Sequence, residues 1–159
     1  MYMLVRELMR KDVTVIPIGT SWREVAALFL RFGISGAPVV DGDKVVGVVS
    51  EKDLFRAFYP SYREWYATPD AYLDFDEIEN NSHTVADLPV EKFMSTRLIT
   101  VKPDTHVLHV GSLMIGSGIH RVPVIENGKL VGMVGRREIF RAILREQFGL
   151  SRVKEDRDA

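Results

Sequence analysis

Displaced by 85 residues, the chain falls on itself without a gap. Val5 meets Val90, Met9 meets Met94, Thr20 meets Thr105 and Leu28 meets Leu113. Gly33-Ile34 meets Gly118-Ile119, Pro38-Val39 meets Pro123-Val124, and Phe55-Arg56-Ala57 meets Phe140-Arg141-Ala142. Shared hydrophobicity explains coincident apolar residues, but coincident glycines and prolines answer to backbone geometry and mark a duplicated fold. The chain therefore divides into a first repeat over 1–58, an insert and linker over 59–89, a second repeat over 90–148 and a tail over 149–159.

Both repeats read alike. A short amphipathic lead (Val5, Leu8, Met9; Val90, Phe93, Met94) runs into a β-branched stretch, residues 13–16 and 98–101, expected as a strand. Ser21 followed three residues later by Glu24 has the spacing of a capping box, and Trp22, Val25, Ala26, Phe29 and Phe32 recur at helical spacing. Gly33 and Gly118 stand where a glycine ends that helix. Two more strands follow, residues 38–40 and 45–49, joined by Asp41-Gly42-Asp43, with Asn127-Gly128 at the second turn. A last helix opens at Ser50 or Gly135. The expected fold class is α+β: tandem β-α-β-β-α repeats with a helical insert between them. One repeat is too small to bury its own faces, so the two are expected to pack about a pseudo-two-fold axis.

Composition bounds what such a chain does. An apolar fraction of 46% builds a core and excludes low-complexity disorder. With no cysteine, disulfide frameworks, thiolate nucleophiles and Cys-ligated metal sites are excluded. The net charge of −1 argues against nucleic acid as a partner. No apolar run reaches the ~18 residues of a membrane span, and the charged start (Arg6, Glu7, Arg10, Lys11) does not read as a signal peptide. The expectation is a cytoplasmic protein that does not bind membranes.

Two copies of Ile-x-x-x-Pro-Val (Ile34 to Val39, Ile119 to Val124), each followed by a turn and an apolar-Val-Gly-apolar-Val segment, resemble a CBS-domain pair, or Bateman module. The resemblance covers 5–58 and 90–144. Gly47-Val48-Val49-Ser50-Glu51-Lys52-Asp53 resembles that family's Gly-x-x-Ser/Thr-x-x-Asp nucleotide signature. A strand there delivers the chain to a helix N-terminus, Ser50 offers a hydroxyl, and Asp53 offers oxygens to a ribose diol. The same Ser-x-x-Asp also reads as an ordinary capping box serving only the backbone. The second copy, Gly132 to Glu138, keeps capping chemistry in Gly135 and Glu138 but lacks the hydroxyl and carries a longer acid. Unequal sites are expected, with Ser50 and Asp53 the competent one.

The resemblance further implies an inter-repeat cleft in which Ser50 and Asp53 face Leu98, Ile99, Thr100, Ile119, His120, Arg121 and Pro123. It assigns phosphate to His120 and Arg121, where the first copy has uncharged Ser35-Gly36, and to Arg137. Arg137, Arg141 and Arg145 also fit a solvated helix face. The implied function is a regulatory module, not an enzyme, that senses an adenosine-containing nucleotide and acts on a partner in trans. AMP, ADP and ATP come first, with NAD and S-adenosylmethionine open. The alternative is a structural dimerisation or protein-interaction module. A homodimer is expected through Leu28, Phe29, Leu113 and Met114.

His106 and His109, three apart at a helix start, lack a third ligand at matching spacing, so no metal and no cofactor is expected. Ser50 has no histidine near it in sequence and does not read as a triad nucleophile. His83 falls in a polar stretch with Asn80, Asn81 and Ser82, read as a loop. The insert carries Tyr59, Tyr62, Trp65, Tyr66, Tyr72 and Phe75 among acidic residues. Ser61 with Glu64, and Thr68-Pro69, predict two short helices there. The aromatics either pack over the module or across a dimer interface, or, with residues 59–80, form a lid or a docking surface for a protein partner.

Overall fold

The computed structural model describes residues 2–59 and 75–150. Two compact units emerge, and their boundaries are not those of the sequence repeats: Val13–Leu98 forms one, while Met1–Asp12 joins the chain from Ile99 onward in the other.

In the Val13–Leu98 unit, the elements are β1 (Ile16–Pro17), α1 (Trp22–Phe32), β2 (Gly36–Asp41), β3 (Lys44–Ser50), α2 (Glu51–Phe58), α3 (Phe75–Val85) and a 3-10 turn at Val90–Lys92. β1 runs parallel to β2 with Ile16 opposite Val39. β2 and β3 form an antiparallel hairpin whose register shifts between Val39 and Val40. Ser21 caps α1, accepting from the Glu24 amide at 3.2 Å while Glu24 Oε2 accepts from the Ser21 amide at 2.9 Å. The bond from the Ser21 amide foremost, and then the Ser21 side chain, hold the Glu24 carboxyl below its ordinary value of 4.5. A depressed carboxyl supports folding above its unfolded value, and the support fades as pH falls through the native one. Acid titration of thermal stability should therefore flatten in Glu24→Gln, and an unchanged curve would refute the assignment. The helix ends at Gly33, in the left-handed region at φ 60°.

The other unit repeats this plan with α4 (Val107–Ser117), β4 (Arg121–Glu126), β5 (Lys129–Gly135) and α5 (Arg136–Phe148). Its hairpin carries the equivalent register shift, between Val124 and Ile125. Asn127 (φ 51°) and Gly128 (φ 77°) make the two-residue turn that Asn-Gly favours. Gly118 closes α4 as Gly33 closes α1.

The leads are exchanged. Val5 is fully buried in the core of Val101, Val107, Val110, Met114, Val122 and Val124, built from the second repeat. Val90, its repeat equivalent, is fully buried with Ile16, Val25, Phe29, Val39 and Val49 of the first. Arg10 pairs with Met133, and Ser95 pairs with Val48, each through two backbone hydrogen bonds of 2.8 to 3.0 Å. Gly132 and Gly47 admit these crossings: a Cβ on Gly47 would lie 2.7 Å from the Ser95 carbonyl oxygen, and one on Gly132 2.8 Å from that of Arg10.

Three sequence expectations are corrected here. The first strands are shorter than 13–16 and 98–101: β1 is Ile16–Pro17, and Val101 makes a single parallel bridge to Val124. The preceding residues carry the chain from one unit to the other and so lie outside these ladders. His83, read as a loop residue, lies within α3. Asn80, Asn81 and Ser82 are weak helix formers, but the helix runs through them to the buried Val85, and tertiary packing commonly outweighs propensity. Phe29 and Met114 are only 4% exposed and belong to the cores, not to an outer face. The outward residues are their neighbours Leu30 (86%) and Ile115 (88%), a turn of about 100° around the helix. The two short helices expected at Ser61 and Thr68 lie outside the described residues, as do Tyr62, Trp65, Tyr66 and Tyr72.

Candidate functional site

β3 ends at Ser50, and its extended backbone (φ −129°, ψ 167°) turns directly into α2 with Ser50 as N-cap. Asp53 Oδ2 accepts from the Ser50 amide at 2.8 Å and from the Ser50 hydroxyl at 3.0 Å. The hydroxyl oxygen in turn lies 3.4 Å from the Asp53 amide, and the Glu51 amide donates to the Ser35 carbonyl at 3.1 Å. The capping box is thus built. It engages Oδ2 and leaves Oδ1 of a half-buried carboxylate to face other donors. Glu51 and Asp53 put negative charge in the first turn of α2. That offsets the positive end of the helix dipole and disfavours an anion there, but suits the hydroxyl donors of a sugar.

The start of α5 is built differently. The Arg136 amide donates to the His120 carbonyl at 2.9 Å, matching Glu51 and Ser35. Gly135 is the N-cap and makes no side-chain cap bond. Arg136 and Arg137 are exposed beside it, giving this end a cationic character suited to anions.

The residues singled out by sequence fall on both units. Leu98 shares the Val13–Leu98 unit with Ser50 and Asp53 and is half-buried. Ile99, Thr100, Ile119, His120, Arg121, Pro123 and Arg137 belong to the other unit. Pro123 is buried within β4, His120 is exposed, and Arg121 opens β4 half-buried. Arg137, Arg141 and Arg145 are all exposed along α5, as a solvated face would have them. Sequence reasoning missed the carbonyls of Ser35 and His120, which tie each loop to a helix start. Backbone groups carry no signature in residue type.

His106 caps α4, its Nδ1 accepting from the Leu108 amide at 3.2 Å, with the Tyr2 ring edge-on at 5.5 Å. Among the described residues no group of three His, Cys, Asp or Glu could hold a metal. Nor is any helix among them long and apolar enough to cross a membrane.

Two units of one plan, each a helix, an antiparallel hairpin and a second helix that starts directly after the hairpin, define a tandem-repeat module. The CBS-domain model matches residues 5–60 and 86–145, and the chain belongs to the CBS-domain family. It is 28% identical over 155 residues to the uncharacterized protein MJ1426 of Methanocaldococcus jannaschii, covering 89% of this chain and 92% of that one. It is 24% identical to an A-adding tRNA nucleotidyltransferase of Geobacter sulfurreducens, of whose length it spans 13%. CBSX2 of Arabidopsis thaliana, a CBS-pair protein, has a TM-score of 0.72 at 24% identity, over 93% of this chain and 99% of that one. A CBSX2 structure in complex with AMP has a TM-score of 0.66 at 26% identity, over 91% and 98%.

Proposed function

We propose that the chain is a regulatory module that binds an adenosine-containing nucleotide, with AMP as the first ligand to test, and acts on a protein partner in trans. The carrying observation is the Ser50–Asp53 arrangement, which pre-orients a carboxylate with one oxygen still available beside a helix start. The AMP complex of CBSX2 supports adenine nucleotides as the ligand class. Ser50 and Asp53 hold the ribose. His120, Arg121 and Arg137 hold phosphate, consistent with the cationic start of α5, while Leu98, Ile99, Thr100, Ile119 and Pro123 contact the rest of the ligand. ADP, ATP, NAD and S-adenosylmethionine share the adenosine and are the next ligands to try.

A second reading draws on the same hydrogen bonds. Ser50 and Asp53 satisfy each other as a cap, which an interaction module without a ligand would also need. Melting with and without millimolar AMP separates the two. A ligand at a hundred times its Kd adds about 2.7 kcal/mol to native stability, a rise of several degrees. No shift with any of the five ligands would leave the interaction reading.

We also propose a homodimer. Leu30 and Ile115 are repeat equivalents, so each unit leaves the same helical position apolar and open to solvent. Such surfaces are what subunit interfaces cover. Light scattering should return about twice the 18.0 kDa of one chain. A monomer mass at micromolar concentration would refute it.

A further inference from the structure

The second repeat's counterpart of the Ser50–Asp53 position is filled by the protein itself. Glu138 stands where Asp53 stands in the first copy, but its carboxylate is folded back over the α-carbon of Gly135. A Cβ on Gly135 would meet Glu138 Oε2 within van der Waals contact, so the glutamate occupies the room that the Ser50 side chain takes in copy one. Its other oxygen, Oε1, lies 4.0 Å from Nε of Arg10. Arg10 arrives on the exchanged lead and is fixed there by two backbone bonds with Met133, while its repeat equivalent beside Val48 is the uncharged Ser95.

From this geometry we infer that Arg10 acts as a positioning residue, holding Glu138 over Gly135 and closing the second-copy position to a nucleotide sugar. The inference rests on the proposed ribose role of Ser50 and Asp53, and it turns on charge as much as on space. In copy one a carboxylate oxygen is left for hydroxyl donors; in copy two the carboxylate faces a guanidinium and fills the cap position. One ligand per chain follows from a contact that the lead of one repeat makes with the body of the other.

Titration calorimetry with AMP on the full chain tests it. The wild type should bind one AMP per chain, and the variant Arg10→Ser, Gly135→Ser, Glu138→Asp, which rebuilds copy one's chemistry, should bind two. Arg10→Lys, which keeps the charge, should stay at one. Two equal sites in the wild type, or a rebuilt variant that binds no more AMP than the wild type does, would overturn the inference. Adding Asp53→Ala to the rebuilt variant separates the readings: one remaining site supports closure by Arg10 and Glu138, and none refutes it. A silent wild type with a binding rebuilt variant would remove the Ser50–Asp53 reading and keep this one; silence in both would remove both. Should the triple variant fail to fold, Arg10→Ser with Glu138→Asp, which leaves Gly135, should show a weaker second event, whose absence would be decisive against the inference.

Discussion

Asp53→Ala should weaken AMP binding roughly 10- to 100-fold. A hydrogen bond to a charged acceptor is worth ~1.5–3 kcal/mol, and each 1.4 kcal/mol is about a factor of ten in Kd. The substitution also removes the partner of the Ser50 amide and hydroxyl, so some stability goes with it, about 1 kcal/mol for a lost cap. The two losses are separable because affinity is measured on folded protein, by calorimetry well below the melting point. Arg121→Ala provides the contrast: it should weaken AMP and leave adenosine unaffected, since the cation addresses phosphate. Were Asp53→Ala and Arg121→Ala to lower the melting temperature alike and leave AMP affinity alone, Ser50 and Asp53 would be a helix cap and nothing more.

Gly47→Val should cost about 1–3 kcal/mol, the range for forcing extra atoms into a packed interior. For a chain of this length that is a fall in Tm on the order of 2 to 12 °C. The obstacle is backbone: the Ser95 carbonyl oxygen would sit 2.7 Å from the new Cβ, and Ser95 is tied to Val48 by bonds of 2.9 and 3.0 Å. Relief requires opening that bridge, and the Met94 sulfur at 2.8 Å must move as well. The control is Gly116→Ala in α4, where nothing lies within 4 Å of the added carbon; alanine there should stabilise by about 0.5–1 kcal/mol. Scanning calorimetry that found Gly47→Val no worse than Gly116→Ala would show that the lead does not press on β3 as described.

Local chemistry was legible where one residue type answers to one backbone need. Ser21 with Glu24, Ser50 with Asp53, Gly33, Gly118 and Asn127-Gly128 each state their own cap or turn, because the partner lies within four residues. Helical spacing placed α1 and the repeat placed α4, but the expected dimer face took in Phe29 and Met114, which the cores hold. A stripe of apolar residues does not say which of two adjacent members the core takes. His83 differs for a related reason: α3 runs through Asn80 to Ser82 to reach the buried Val85, against the propensity of those three residues.

The sequence by itself determined the duplication, the helix–hairpin–helix order of each repeat, the hairpin turns and the asymmetry between Ser50/Asp53 and Gly135/Glu138, all of which are written in residues that act on near neighbours. Only the tertiary structure decided which body each lead completes. Val5 and Val90 are both valines in matching registers, equally able to fill either core, so nothing in their identity distinguishes a repeat that keeps its own lead from one that exchanges it. The exchange then decides what Gly47 and Gly132 are for, and it brings Arg10 to Glu138 across more than a hundred residues of chain. A contact of that separation leaves no periodic or local trace, because the free energy that selects it comes from burying apolar side chains in a common core.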